Sequence, residues 1–223
     1  MIDLIRVKNK EEGNKKAHDI LKKLVDRQTL LALSGGSSVD YRAMLVDPDD
    51  VVPGAICVVD ERYGAPFHKD SNELLLKNAG VKEFADKHCV ESVKILTGQD
   101  FLESGKIYEK AVRNLLSRFA KRVGVMGVGE DLHTAGIFPF SAAAKSPDYV
   151  ASEVVDGRFP KRITLTLKAL GEFQTFIILM FGAAKREALR IMLDEKENDM
   201  QKYPAIFFRK SKIRSYLITD QNI

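Results

Sequence analysis

The tightest constraint on the fold of this chain is a series of short, uninterrupted apolar runs, each stopped by a glycine or a charge. Leu30-Leu31-Ala32-Leu33 ends in Ser34-Gly35-Gly36, and Ala55-Ile56-Cys57-Val58-Val59 ends at Asp60. Arg122-Val123-Gly124-Val125-Met126 runs into Gly127-Val128-Gly129. Residues 163–167, 176–180 and 216–219 read as further strands. A strand that is apolar at every position, rather than every second one, is buried on both faces. That is the condition of a parallel sheet covered by helices.

The segments between these runs carry the other period. Ala17, Ile20, Leu21, Leu24 and Val25 recur at helical spacing with lysines on the opposite face, and Ile107, Ala111, Leu115, Leu116 and Phe119 do the same. Residues 71–79 read as a helix closed by Gly80, and residues 183–193 as another. Ser37-Ser38 is expected to cap a helix running through Leu45. The predicted fold class is therefore α/β: a Rossmann-like, mainly parallel sheet with helices on both faces. With 223 residues, 45% of them hydrophobic, a single domain over 1–223 is the expected organisation.

Charge and cysteine usage narrow the function classes. Lys and Arg total 35 against 31 Asp and Glu, a net +4 that suits a small anionic ligand. The basic runs are as short as Lys22-Lys23 and Lys121-Arg122, so no nucleic-acid partner is expected. Cys57 and Cys89 fit no metal spacing and no disulfide framework, and both read as buried free thiols. Met1-Ile2-Asp3-Leu4-Ile5-Arg6 has no apolar signal core, and the longest apolar stretch, 176–184, is too short to span a bilayer. No membrane partner and a cytoplasmic location follow as expectations. The sequence sets no oligomeric state.

In an open parallel sheet, ligands bind outside the carboxyl ends of the strands, and the unusual residues of this chain gather there. Ser34, Gly35, Gly36 and Ser37 form a glycine turn whose N–H groups, with the N-terminus of the expected helix, can cradle a phosphate; a plain tight turn explains the same residues about as well. It is not a Walker loop, for it lacks the Gly-Lys-Ser/Thr ending. Asp60-Glu61-Arg62 ends a strand, with an arginine that neighbouring carboxylates can hold against an anion; alone it is equally a solvated charge cluster. Gly127-Val128-Gly129-Glu130-Asp131-Leu132-His133 is the sharpest signal. Asp131 lies close enough to orient the His133 imidazole, and histidine is the natural general base near neutral pH. His18, His68 and His88 stand in polar surroundings and read as surface residues. Arg162, opening a strand, and Lys185, opening a helix, are surface charges unless both reach one phosphate.

Taken in order, these segments resemble the 6-phosphogluconolactonase and glucosamine-6-phosphate isomerase/deaminase superfamily. The resemblance spans nearly the whole chain. It rests on Ser34-Gly35-Gly36-Ser37, Asp60-Glu61-Arg62, Asp70-Ser71-Asn72, the Gly-x-Gly-x-Asp-Gly-His-Thr-Ala-x-x-Phe-Pro signature at 127–139, Arg162-Ile163-Thr164-Leu165-Thr166-Leu167, and Gly182, Lys185, Ala188 and Leu189. It implies a phosphorylated sugar lactone as ligand, His133 as the base that activates water, and Asp131 as its partner. It also implies phosphate binding by the glycine-serine loop, Arg162 and Lys185, with Asp60, Arg62 and Gly129 against the substrate. It implies no cofactor and no metal. The stretch Ala135-Gly136-Ile137-Phe138-Pro139 has no acid before its proline, and Arg62 stands where deaminases tend to carry an aromatic; both point to the lactonase branch. A deaminase-like or other sugar-phosphate enzyme and a non-catalytic sugar-phosphate sensor are the alternatives. Leu132 stands where both branches favour glycine, a position suited to a positive φ or a close substrate approach.

Overall fold

The computed structural model describes residues 1–222. Its strands are β1 (Ile2–Arg6), β2 (Thr29–Leu33), β3 (Ala55–Val58), β4 (Asp60–Arg62), β5 (Glu91–Val93), β6 (Lys121–Gly127), β7 (Val150–Val154), β8 (Lys161–Leu165), β9 (Thr175–Met180) and β10 (Arg214–Thr219). The helices are α1 (Lys10–Leu24), α2 (Asn72–Asn78), α3 (Val81–Lys87), α4 (Phe101–Arg118), α5 (Leu167–Leu170), α6 (Arg186–Leu193) and α7 (Phe207–Lys210). Seven strands form one sheet in the order β1-β10-β9-β6-β2-β3-β5, with every neighbouring pair parallel. The apolar runs explain this directly: β2, β3 and β9 are buried at every position. The short edge strand β1, with Asp3 and Arg6 in it, lacks such a run and joins the sheet through β10.

The strand order reverses once. From β1 to β5 the chain moves toward the β5 edge, and from β6 to β10 it moves back toward β1. Right-handed crossovers then send α1, α2 and α3 to one face and α4 and α6 to the other. The reversal opens a crevice between the carboxyl ends of β2 and β6, which is where an α/β sheet accepts a ligand.

A second sheet, β4-β8-β7, is antiparallel. The sequence places Asp60-Glu61-Arg62 at a strand's carboxyl end; the chain instead passes through Val59 into the separate strand β4. Thr166 ends β8 two residues earlier than the apolar pattern suggests, because its side chain caps α5 by accepting from Ala169 N. Ser71 caps α2 in the same way, accepting from Leu74 N, and Gly80 at φ 87 follows that helix.

The helix expected after Ser37-Ser38 does not form. Only a single wide turn at Arg42–Val46 is helical, and the segment before it is irregular. A loop without its own ladder needs partners for its backbone groups, and α1 supplies them. Asn14, 1% exposed, donates from Nδ2 to Ser38 O at 3.1 Å and accepts at Oδ1 from Asp40 N at 2.8 Å. Lys10 Nζ donates to Ser37 O at 2.6 Å.

Candidate active site

The loops that follow β2 and β6 are stitched together across the crevice. Ser34 N donates to Val125 O at 3.1 Å, and Gly127 N donates to Ser34 Oγ at 3.1 Å. Tyr41 Oη, buried beneath, donates to Ser34 O at 2.5 Å. A cavity of about 290 Å³ opens here, and Ser34, Gly35, Gly36, Ser37, Asp60, Arg62, Gly129, His133, Arg162 and Lys185 all line it. Residues read from five separate stretches of sequence thus meet in one place. Asp131 alone among the expected residues stands outside the cavity wall, against His133.

The cavity lining combines a glycine-serine turn with a lysine. Gly36, at φ 114, turns the 34–38 loop through a conformation that a side chain would strain. Gly35 is small for a different reason: a Cβ there would stand 1.9 Å from Asn72 Oδ1. Lys185 is half-buried and lines the cavity, and among the described residues its ammonium has no hydrogen-bond or ion-pair partner. Without a helix behind Ser37-Ser38, the charge for binding an anion comes from lysine and arginine rather than from a helix dipole.

Strand alternation sorts the Asp-Glu-Arg segment. In the β4–β8 register Asp60 faces Thr164, Glu61 faces Ile163 and Arg62 faces Arg162. Period-two geometry puts Asp60 and Arg62 on the cavity face and Glu61 on the other. Two arginines directly opposite repel, and each is tied down. Arg162 Nη1 lies 3.8 Å from Asp60 Oδ2, and its Nε donates to Phe159 O at 3.0 Å. Arg62 Nη1 donates to Asp70 O at 2.6 Å and to Asn72 Oδ1 at 3.4 Å, with the guanidinium 5.2 Å above the Phe159 ring. Burial pushes the Asp60 carboxyl up, against the pull of Arg162, Arg62 and His133. Burial likewise pulls Arg162 down, opposed by Asp60.

The third segment carries a histidine–carboxylate pair. His133 Nδ1 and Asp131 Oδ1 are 2.6 Å apart, and the same oxygen accepts from His133 N at 3.1 Å. A carboxylate on Nδ1 selects the tautomer with its proton there and leaves Nε2 as the basic nitrogen. Partial burial raises Asp131, but the hydrogen bond and charge of His133 outweigh it, and the carboxyl sits below its ordinary range. Gly129 makes room for the pair: a Cβ there would stand 2.1 Å from His133 Nδ1 and 2.5 Å from Asp131 Oδ1. The backbone is pinned by Gly129 N to His133 O at 2.9 Å and by Thr134 Oγ1 to Gly127 O at 3.0 Å. Leu132 takes φ 63, the left-handed conformation that glycine would favour, and keeps its side chain 1% exposed in the core. Ala205 N donates to its carbonyl at 3.0 Å.

Three residues support the site in ways the sequence did not assign to them. Asn72, 2% exposed, lines the cavity and donates from Nδ2 to Asp60 O at 2.7 Å while its Oδ1 meets Arg62. The Asp70-Ser71-Asn72 segment carried the signal, without a role for the asparagine. Glu61, fully buried, accepts at Oε1 from Arg62 N at 2.8 Å and Asn72 N at 2.7 Å, and at Oε2 from Glu73 N at 2.8 Å. It thereby anchors the start of α2 and fixes Asn72. Phe138 stacks on His133. The remaining histidines are less superficial than their neighbours in sequence suggest. His18 is 8% exposed, with Nδ1 3.1 Å from Met44 O, and His68 Nε2 lies 2.8 Å from Arg62 O. His88 is half-buried against Phe84. Of the two cysteines, Cys57 is buried, with its thiol pushed up to about 12 by burial, whereas Cys89 is exposed. Among the described residues, no three His, Cys, Asp or Glu side chains gather as a metal site. Among the described residues, no helix is long and apolar enough to cross a membrane.

A carboxylate-oriented imidazole beside three cations can take a proton from water while an anionic substrate is held. The chain is 29% identical over 189 residues to a 6-phosphogluconolactonase of Nostoc, an alignment covering 80% of this chain and 77% of the relative. Its fold matches a 6-phosphogluconolactonase of Shewanella baltica at a TM-score of 0.80 and 17% identity, covering 98% and 97% of the two chains. It also matches a monomeric glucosamine-6-phosphate deaminase at 0.75 and 17%, covering 98% and 96%, so the fold by itself does not separate the two reactions. The family of glucosamine-6-phosphate isomerases and 6-phosphogluconolactonases matches residues 10–217. With nearly the whole chain inside that match and its signature residues gathered in one crevice, the chain belongs to the glucosamine-6-phosphate isomerase/6-phosphogluconolactonase family.

Proposed function

We propose that the chain hydrolyses 6-phosphoglucono-1,5-lactone to 6-phosphogluconate. The observation that carries the reading is the His133–Asp131 pair at 2.6 Å on the wall of a cavity that also holds Arg62, Arg162 and Lys185. Water attacks the lactone carbonyl as His133 Nε2 takes its proton. The tetrahedral oxyanion is stabilised by Arg62 or by loop N–H groups. Collapse breaks the bond to the ring oxygen, which leaves with the proton from the imidazolium; the new acid then ionises. Lys185, Arg162 and the 34–37 loop hold the phosphate. Asp131 orients the imidazole and stabilises its charged form, as a carboxylate does for a catalytic histidine.

The family covers both reactions; the names of the relatives support this chemistry over deamination, and so does the sequence 135–139, which carries no acid. The test is hydrolysis of freshly made lactone, corrected for spontaneous opening, by the wild type and by His133→Ala. Loss of a general base costs about 10²- to 10⁴-fold, so turnover falls at least that far while 6-phosphogluconate still binds. Retained turnover in the variant removes His133 from the mechanism. Binding without turnover by the wild type identifies a sensor instead.

A further inference from the structure

We propose that Phe138 is a positioning residue: its ring sets the plane of the His133 imidazole and links it to Arg162. The inference rests on His133 acting as the base. The phenyl ring stacks on the imidazole with centroids 4.6 Å apart and planes at 24°. The Arg162 guanidinium carbon lies 5.3 Å from the centre of the same phenyl ring. Phe138 lines the substrate cavity and also the neighbouring cleft that holds Asp131, so its ring forms the wall between them. The chain reaches this position by a tight return after His133. Thr134 and Ile137 exchange backbone hydrogen bonds at 3.3 and 2.9 Å, and Ala135 between them takes φ 54.

The need for such a residue follows from what Asp131 does not fix. A carboxylate on Nδ1 at 2.6 Å tethers one atom of the imidazole and leaves its plane free to swing about that tether. The plane decides where Nε2 points, and proton transfer depends on that direction. Gly129 leaves that side of the ring open, since a Cβ there would come within 2.3 Å of Cε1. The Phe138 face supplies the remaining restraint. It also adds a term that grows during the reaction, because an aromatic face attracts the imidazolium formed on proton transfer more than the neutral ring. Arg162 against the same phenyl ring ties this geometry to the anion-binding side of the cavity.

The test compares wild type, Phe138→Leu and Phe138→Tyr, with Phe138→Met as a second apolar variant should the leucine protein not fold. Two readings are taken: kcat and KM on the lactone, and the His133 Cε1–H resonance in NMR, assigned by its absence in His133→Ala. Leucine is expected to lower kcat about 10- to 100-fold, the scale of a displaced reacting group, with KM little changed. Tyrosine, which keeps the aromatic face, restores most of it. The His133 resonance, shifted by the ring current in the wild type and the tyrosine variant, moves downfield in the leucine variant. Unchanged kcat in Phe138→Leu, a tyrosine variant as slow as the leucine one, a rise in KM alone, or an unmoved resonance each overturns the proposal. If the wild type does not hydrolyse the lactone, the substrate reading fails, and the resonance still decides whether the stack holds His133.

Discussion

Leu132→Gly separates two effects that act in opposite directions at the centre of the catalytic loop. Leu132 adopts φ 63 and is 1% exposed, so its backbone wants glycine and its side chain wants the core. Removing a buried leucine side chain costs about 2–5 kcal/mol. Release of the left-handed conformation returns about 1–2 kcal/mol, and the greater freedom of glycine in the unfolded chain takes back about 0.5–1. The balance is a loss of about 2–3 kcal/mol, a Tm drop of about 4–12 °C for a chain of this size. Leu132→Ala loses nearly the same contacts but keeps the strain, so the glycine variant should equal or exceed it by about 0.5–1 kcal/mol, the reverse of the usual order for these two residues. Activity should respond far less. Leu132 does not line the cavity, and His133 is held by Asp131, by the backbone bond from Gly129 N to its carbonyl, and by Phe138. Thermal melts of both variants, with kcat measured well below their midpoints, check this. A kcat within about threefold of wild type, worth less than 1 kcal/mol of barrier, is expected. A loss beyond tenfold in a folded glycine variant, or an alanine variant clearly more stable than the glycine one, refutes the reasoning.

Gly35→Ala should cut kcat/KM by more than about tenfold, because its Cβ would stand 1.9 Å from Asn72 Oδ1 and displace the side chain that meets Arg62 and Asp60; near-normal kinetics would show that Asn72 has room to yield. Lys185→Ala should raise KM about tenfold or more through loss of a charged hydrogen-bond donor, with Tm unchanged, because the ammonium has no partner among the described residues. Arg162→Ala should raise KM and also lower stability, since it removes the ion-pair partner of the buried Asp60 carboxyl and leaves it only Arg62, His133 and Asn72; equal Tm values for the two variants would contradict the difference in pairing. Burial raises Glu61 from 4.5 to about 7, so the folded protein binds a proton that the unfolded chain releases between those values. That contribution is full below about pH 4.5 and is lost as pH rises through about 7, so denaturant unfolding should find the protein more stable near pH 5 than near pH 8 by a few kcal/mol. Stability that climbs steadily across this window would count against it.

The site was legible in the sequence wherever its chemistry lies in one contiguous segment at a strand end. Ser34-Gly35-Gly36-Ser37 and the segment 127–139 announce themselves because tight turns and a histidine beside a carboxylate need particular residue types in fixed order. What stayed hidden depends on register and on partners far away in the chain. Nothing local says that Arg62 and Arg162 stand opposite each other, since that pairing exists only once β4 and β8 align. The helix expected after Ser37-Ser38 failed for a similar reason: Asn14 and Lys10, more than twenty residues earlier, satisfy the loop in its irregular form. His18 looked superficial among lysines, but it lies on the buried side of α1 against the carbonyl of Met44.

Leu132 shows how a departure from a family pattern is to be weighed. From sequence, a leucine in place of glycine threatens the loop, because it resists a positive φ. In the structure the φ is positive all the same, and the strain is offset by burying the side chain that caused it and by binding the carbonyl to Ala205. Glycine would keep the backbone bond from Ala205 N and leave this loop shaped by hydrogen bonds alone; leucine adds a side chain buried in the core. A second tie, from Phe140 N to Gln201 O at 2.7 Å, holds the far end of the same loop to the same region. The substitution therefore moves the support of the base from backbone freedom to core packing. The distances from His133 to Asp131 and from His133 to Phe138 do not involve the leucine side chain, which does not line the cavity.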